Sequence, residues 1–117
     1  MSQERPRKPD ILQGTLDLMV LKTLAAMGPM HGYGLARRIE QLSDDAMQIS
    51  QGTIYLCLVR LVHKGWIHAA WGTSENNRKA KFYSISKAGG KQLVTETQNW
   101  ERVAGIIGRL LQLGTRG

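Results

Sequence analysis

The dipeptide Gly28-Pro29 cuts the longest apolar stretch of the sequence, Leu16 to Met30, and so limits what the chain can fold into more than any other feature. Proline lacks a backbone donor and glycine readily ends a turn, so a helix running up to Met27 stops there. The same stretch carries Asp17, Lys22 and Thr23 before the proline, which excludes a membrane span. Upstream of the break, Leu12, Leu16, Met19, Val20, Thr23, Leu24 and Met27 recur at helical spacing. Leu18, Leu21 and Ala25 widen that stripe, so this first helix, about Leu12 to Met27 with Asp10 as its cap, is buried on two sides, in a core or between subunits. Residues 1–10 read as a polar, flexible arm that includes Arg5, Arg7 and Lys8 but no following apolar run of the secretory kind.

Beyond the break the spacing predicts a second helix over His31 to Leu42, with Leu35, Ile39 and Leu42 inward, closed by Ser43-Asp44-Asp45. Ser50 is placed to cap a third, because its hydroxyl can accept a free amide of the first turn. That helix runs to about Lys64 on a core stripe of Ile54, Leu58 and Leu61, and Gly65 stops it. Trp66 to Trp71 then reads as a strand, Lys81 to Ser86 as its antiparallel partner, and Gly72 to Lys79 as the polar turn between them. Ser86 can cap a last helix, about Lys87 to Leu113, whose seam of Leu93, Trp100, Val103, Ile107 and Leu110 has coiled-coil rhythm. Three helices, a hairpin and a helix define the expected fold class: mainly α with a small β-hairpin, a winged helix-turn-helix over 11–86 followed by a C-terminal dimerisation helix over 87–117. A chain of 117 residues fits one domain and has no room to cover that last stripe, so a second copy is expected on it.

Charge narrows the function. The formal net charge is +7, which favours polyanionic partners, nucleic acid ahead of acidic membrane. It is also focused: Arg60, Lys64, Arg78, Lys79 and Lys81 crowd the middle against Glu75 alone, while Glu40, Asp44 and Asp45 make the preceding stretch slightly acidic. The single cysteine, Cys57, excludes an intramolecular disulfide and sits between core positions as a small buried hydrophobe, which suits a cytoplasmic location. His31, His63 and His68 lack metal-ligand spacing, Gly32-Tyr33-Gly34 is too short for a phosphate loop, and no nucleophile or paired-carboxylate motif occurs. No metal, cofactor or enzymatic activity is expected.

The candidate binding residues lie on the third helix and the hairpin. At the helix start, Ser50, Gln51 and Thr53 offer hydroxyls and an amide to phosphates and base edges in a major groove. Tyr55 has two readings, a donor to the groove or a ring packed inward. Arg60 and Lys64, farther along, suit phosphate. At the hairpin tip, Asn77, Arg78, Lys79 and Lys81 can meet the backbone or enter a narrow minor groove, although Asn76-Asn77 also suits a plain turn. Trp100 is a hydrophobic anchor of the dimer seam or, beside Ala104 and Gly105, a stacking surface for a planar aromatic effector. The expected partners are therefore double-stranded DNA, at a pseudo-palindromic operator matching a two-fold dimer, and a second copy of the chain. The alternative is a winged helix that binds a protein or a small molecule without specific DNA binding.

Four blocks resemble the PadR family of bacterial transcriptional regulators: residues 12–17 (LQGTLD), 28–34 (GPMHGYG), 51–55 (QGTIY), and 64–67 (KGWI) running through 76–83 (NNRKAKFY). With Trp100 they span nearly the whole chain. The resemblance implies a winged-helix dimer joined by its C-terminal helix, usually a repressor, of the short subgroup with one such helix. It implies that the third helix enters the major groove, giving Gln51, Thr53 and Tyr55 the base side, and that Asn77, Arg78 and Lys79 act as wing contacts. Some members place a tryptophan matching Trp100 at a dimer pocket for planar compounds. The sequence departs from the family at one point of this surface, where Leu56 replaces the proline that commonly follows the tyrosine.

Overall fold

The computed structural model describes residues 13–114; the expected arm over 1–10, the Asp10 cap and the last three residues lie outside the described part. Helix α1 (Gln13–Met27) ends at the glycine-proline break, where Gly28 takes a φ of +86° that side chains rarely adopt. A two-residue strand β1 (Met30–His31) follows, then α2 (Gly32–Leu42) and α3 (Gln51–His63). The wing strands β2 (Ile67–Thr73) and β3 (Lys79–Ile85) lead to the long helix α4 (Lys87–Leu111). The sheet is three-stranded and antiparallel in the order β1-β3-β2, so the expected hairpin gains an edge strand through Met30↔Tyr83 and His31↔Phe82. Two residues between a breaker and a helix carry no alternation, which is why β1 has no signature in the sequence.

Residues of α1, α2, α3 and the sheet share one core, with Val20, Leu21, Leu24, Leu35, Ile54, Leu58, Leu61 and Ile67 almost wholly buried. Helix α2 buries Leu35 and Ile39 as its spacing suggests, with Ala36 beside them, but Leu42 is 66% exposed. At the last turn of α2, Leu42 lines a surface groove with Met19, Lys22 and Thr23 of α1 instead of joining the core. Two consecutive residues with positive φ, Asp44 and Asp45, then reverse the chain. Glu40 steadies the loop that follows by accepting the Ile49 amide at 2.8 Å.

Two polar junctions fix α3 and the wing. The buried Asp17 of α1 accepts from Arg60 at 2.5 Å and from the Cys57 thiol at 3.2 Å, tying α1 to the back of α3. Burial, with the Asp17 carboxylate beside it, pushes the Cys57 thiol up to about 12, so it carries no thiolate near neutrality. The second junction joins the end of α3 to the start of α4. Ser86 caps α4 by accepting the Gly89 amide at 2.9 Å and donates its hydroxyl to the Gly65 carbonyl at 2.7 Å. Its own amide donates to the Trp66 carbonyl at 3.0 Å. Gly89 lies so close that a Cβ built on it would stand 1.9 Å from the Trp66 oxygen.

Both junctions make stability predictions. Gly89→Ala should lose about 3 kcal/mol, since backbone cannot yield as a side-chain tip can. Gly90→Ala, whose Cβ meets nothing within 4 Å, should gain roughly 0.5–1 kcal/mol from helix propensity. Urea titrations of both variants check this, and equal effects would contradict the close approach. Asp17→Ala should cost about 3 kcal/mol by leaving Arg60 and Cys57 without their acceptor, and adding Arg60→Met should recover part of it.

Candidate nucleic-acid interface

Helix α3 presents three surfaces because its residues advance by about 100° each. Ile54, Cys57, Leu58 and Leu61 face the core. Opposite them lie Gly52, Leu56, Val59 and His63, all exposed. Gln51 and Tyr55 occupy the flank toward the wing, and Thr53 the other flank.

The wing closes over the first of these flanks. A cleft of about 480 Å³ opens between the start of α3 and the hairpin, lined by Gln51 and Tyr55 on one wall and Arg78, Lys79 and Lys81 on the other. His31, Tyr33 and Tyr83 also line it, Tyr83 buried and Tyr33 exposed, and Glu75 adds one negative charge to the lining. Tyr55 is exposed, which resolves its two readings in favour of a side chain turned out of the core. Tyr83 is buried at the cleft's base; that burial, and then the neighbouring Tyr55, push its phenol up and keep it protonated. Five of the ten residues expected on the binding surface therefore come together from two elements distant in sequence.

The other five are placed differently. Ser50 caps α3 as expected, accepting the Thr53 amide at 3.1 Å, and the two hydroxyls lie 2.9 Å apart on the exposed helix start. Asn77 adopts a φ of +60° at the wing tip, where its amide donates to the Ser74 carbonyl at 2.9 Å, so its backbone makes the turn. Lys64 reaches the far end of α3 with its ammonium 4.6 Å from the Trp66 ring centre. Arg60 corrects the expectation that it faces phosphate: its guanidinium is held by Asp17 against α1. Lys81, within the cleft, also lies 5.6 Å from the Trp71 ring centre, and Trp71 is itself exposed on the wing.

Sequence reasoning missed His31 and Tyr33. His31 is the cap of α2, its Nδ1 accepting the Gly34 amide at 3.0 Å, and its ring meets Phe82 edge-on at 5.6 Å. The β1–β3 pairing sets His31 beside Phe82, and Tyr33 follows in the first turn of α2; that pairing has no signal in the sequence. Exposed apolar residues on α3, Leu56 and Val59, were likewise not expected on the binding surface.

On α4, Trp100, Val103, Ile107 and Leu110 leave half or so of each side chain in solvent. Leu93 differs from the rest of its expected seam: it is partly buried and packs against the core. No described helix is long and apolar enough to cross a membrane.

Comparison with known proteins agrees with this architecture. An uncharacterised protein of Lysinibacillus sphaericus is 29% identical over 100 residues, covering 86% of this chain and 91% of that protein. A transcriptional regulator from Clostridium thermocellum superposes with a TM-score of 0.77 at 26% identity, over 86% of this chain and 97% of its own. A PadR-like transcriptional regulator from Bacillus cereus superposes at 0.74 with 27% identity, over 87% and 96% respectively. The family described as transcriptional regulator PadR-like matches residues 20–95, about two-thirds of the chain, and the single long α4 fits its short form. The protein belongs to the PadR-like family of transcriptional regulators, for which DNA binding is implied, and it is not an enzyme.

Proposed function

We propose that the protein is a sequence-specific, homodimeric DNA-binding repressor of the cytoplasm, in which 11–86 carry the DNA contacts and 87–117 the dimer contacts. One observation supports the DNA reading above the others: Gln51 and Tyr55 of α3 share a cleft with Arg78, Lys79 and Lys81 of the wing. In this reading α3 enters the major groove and the cationic wing follows the adjoining backbone, so that phosphate contacts set the register and side chains of α3 read bases. Ser50 and Thr53 meet the groove edge at the helix start, Asn77 holds the wing tip, and Lys64 reaches phosphate beyond the helix.

The dimer reading rests on the half-exposed stripe of α4. Trp100 and Ile107, like Val103 and Leu110, are seven residues apart, the repeat that keeps a seam facing a partner helix. An isologous contact along that seam covers the stripe and sets two copies of α3 about one DNA turn apart, at a pseudo-palindromic operator. A planar aromatic effector belongs to the same proposal, supported by the exposed Trp100 ring beside Ala104 and Gly105. Such a molecule alters DNA affinity only by favouring one spacing of the two copies over another.

Salt dependence tests the wing. Binding should weaken steeply as salt rises, because each neutralised phosphate releases counterions. Lys79→Ala should lower the log–log slope by about one, for the phosphate it no longer neutralises, without changing which sequence is preferred. A fluorescence-anisotropy series across salt concentrations measures it, and an unchanged slope removes Lys79 from the interface.

A further inference from the structure

The outermost face of α3 carries no hydrogen-bonding side chain from Gly52 to Val59. Gly52, Leu56 and Val59 occupy it, with Leu56 64% and Val59 46% exposed. A helix that enters a groove presents this face to the groove floor, while Gln51 and Tyr55 on one side and Thr53 on the other reach the edges. Gly52 leaves open space where a Cβ would stand, so the backbone at the helix start can come close to whatever the face meets. Leucine and valine then offer methyl groups where a donor or acceptor would otherwise be expected.

We infer that Leu56 and Val59 read thymine through its C5-methyl group, and that Leu56 is the principal specificity determinant of this chain. This rests on the proposal that α3 enters the major groove, and it names the chemistry read there. On the major-groove edges of the four bases, the thymine methyl is the apolar feature, and it pairs with apolar side chains. Charge selects DNA over the other occupants of an apolar face. The patch lies beside the cationic cleft of Arg78, Lys79 and Lys81, with Lys64 beyond the helix end, a setting that repels a second copy and attracts a polyanion. The contact is specific to leucine: its branched tip extends two bonds beyond Cβ and turns about χ1 and χ2, whereas the ring of a proline at this position is tied back to the backbone.

Selection of bound duplexes from a random pool at fixed salt supplies the site, and uracil in place of thymine then removes the methyl group alone. Wild type should select thymine within each half-site and lose roughly fourfold in affinity for each contacted methyl removed. Leu56→Ala should lose the larger part of that uracil penalty, Val59 keeping the remainder, while its salt slope is unchanged. Because Leu56 is exposed, the substitution leaves the core untouched, and the uracil measurement on wild type stands without it. A selected site bound equally well with uracil overturns the thymine reading, a penalty undiminished in Leu56→Ala overturns the role given to Leu56, and either leaves DNA binding intact. A change of oligomeric state in Leu56→Ala assigns the patch to protein contact and overturns it also. Failure to select any sequence overturns the DNA-binding proposal together with this one.

Discussion

The Trp66 carbonyl is where the structure is least free to change. It accepts the Ser86 amide, and the backbone of Gly89 presses against it so closely that no side chain fits between. Through this contact the end of α3, both wing strands and the start of α4 share one point of attachment. Ser86 adds its hydroxyl to the Gly65 carbonyl and its cap to α4, so a single residue terminates one element and begins another. The wing can hold Arg78 and Lys79 across from Gln51 because β2 leaves this junction in a fixed direction. The course of α4, and with it any partner bound along it, is set at the same place.

At its other surface α3 is held by charge. Asp17 and Arg60 form a pair between α1 and the back of the helix, with the Cys57 thiol sharing the carboxylate. A pair of this kind often contributes less than an apolar pair of equal volume would, and here it joins α1 to α3 at one rotation of the helix about its axis. That rotation sends Ile54 and Leu58 inward and leaves Gly52, Leu56 and Val59 facing out. The positive charge of the chain is consequently divided between two tasks. Arg60 is held in the Asp17 pair, while Arg78, Lys79 and Lys81 line the cleft and Lys64 lies over the Trp66 ring.

Much of this was legible in the sequence because it depends on local chemistry. Ser50 and Ser86 announce two helix starts through their hydroxyls, and Gly28 and Gly65 announce two ends through the φ they adopt. The wing follows from alternation at residues 81–86, although the strand itself begins two residues earlier, at Lys79. Features that depend on what lies across space were not legible. β1 exists because Tyr83 and Phe82 pass beside it, and Leu42 stays at the surface in a groove beside Met19 and Thr23 of α1. Arg60 looked like one more cation of a basic region, and only the fold brings Asp17, 43 residues earlier, against it. The cleft shows the same division: its cationic wall was readable as a run, while His31 belongs to an unsignalled strand and Tyr33 to the helix turn that follows it.

The central claim is that two α3–wing surfaces, fixed by these junctions and joined through α4, address one duplex together. Hydroxyl-radical footprinting on a selected operator tests it most directly, with wild type and Ile107→Asp compared at equal concentration. Wild type should protect two symmetric segments whose centres lie about one helical turn apart. Ile107→Asp, with a charge placed in the α4 seam, should protect one segment or none at the same concentration while its helical content is retained. Two segments protected equally well by the variant, or a single asymmetric footprint from wild type, would contradict the account.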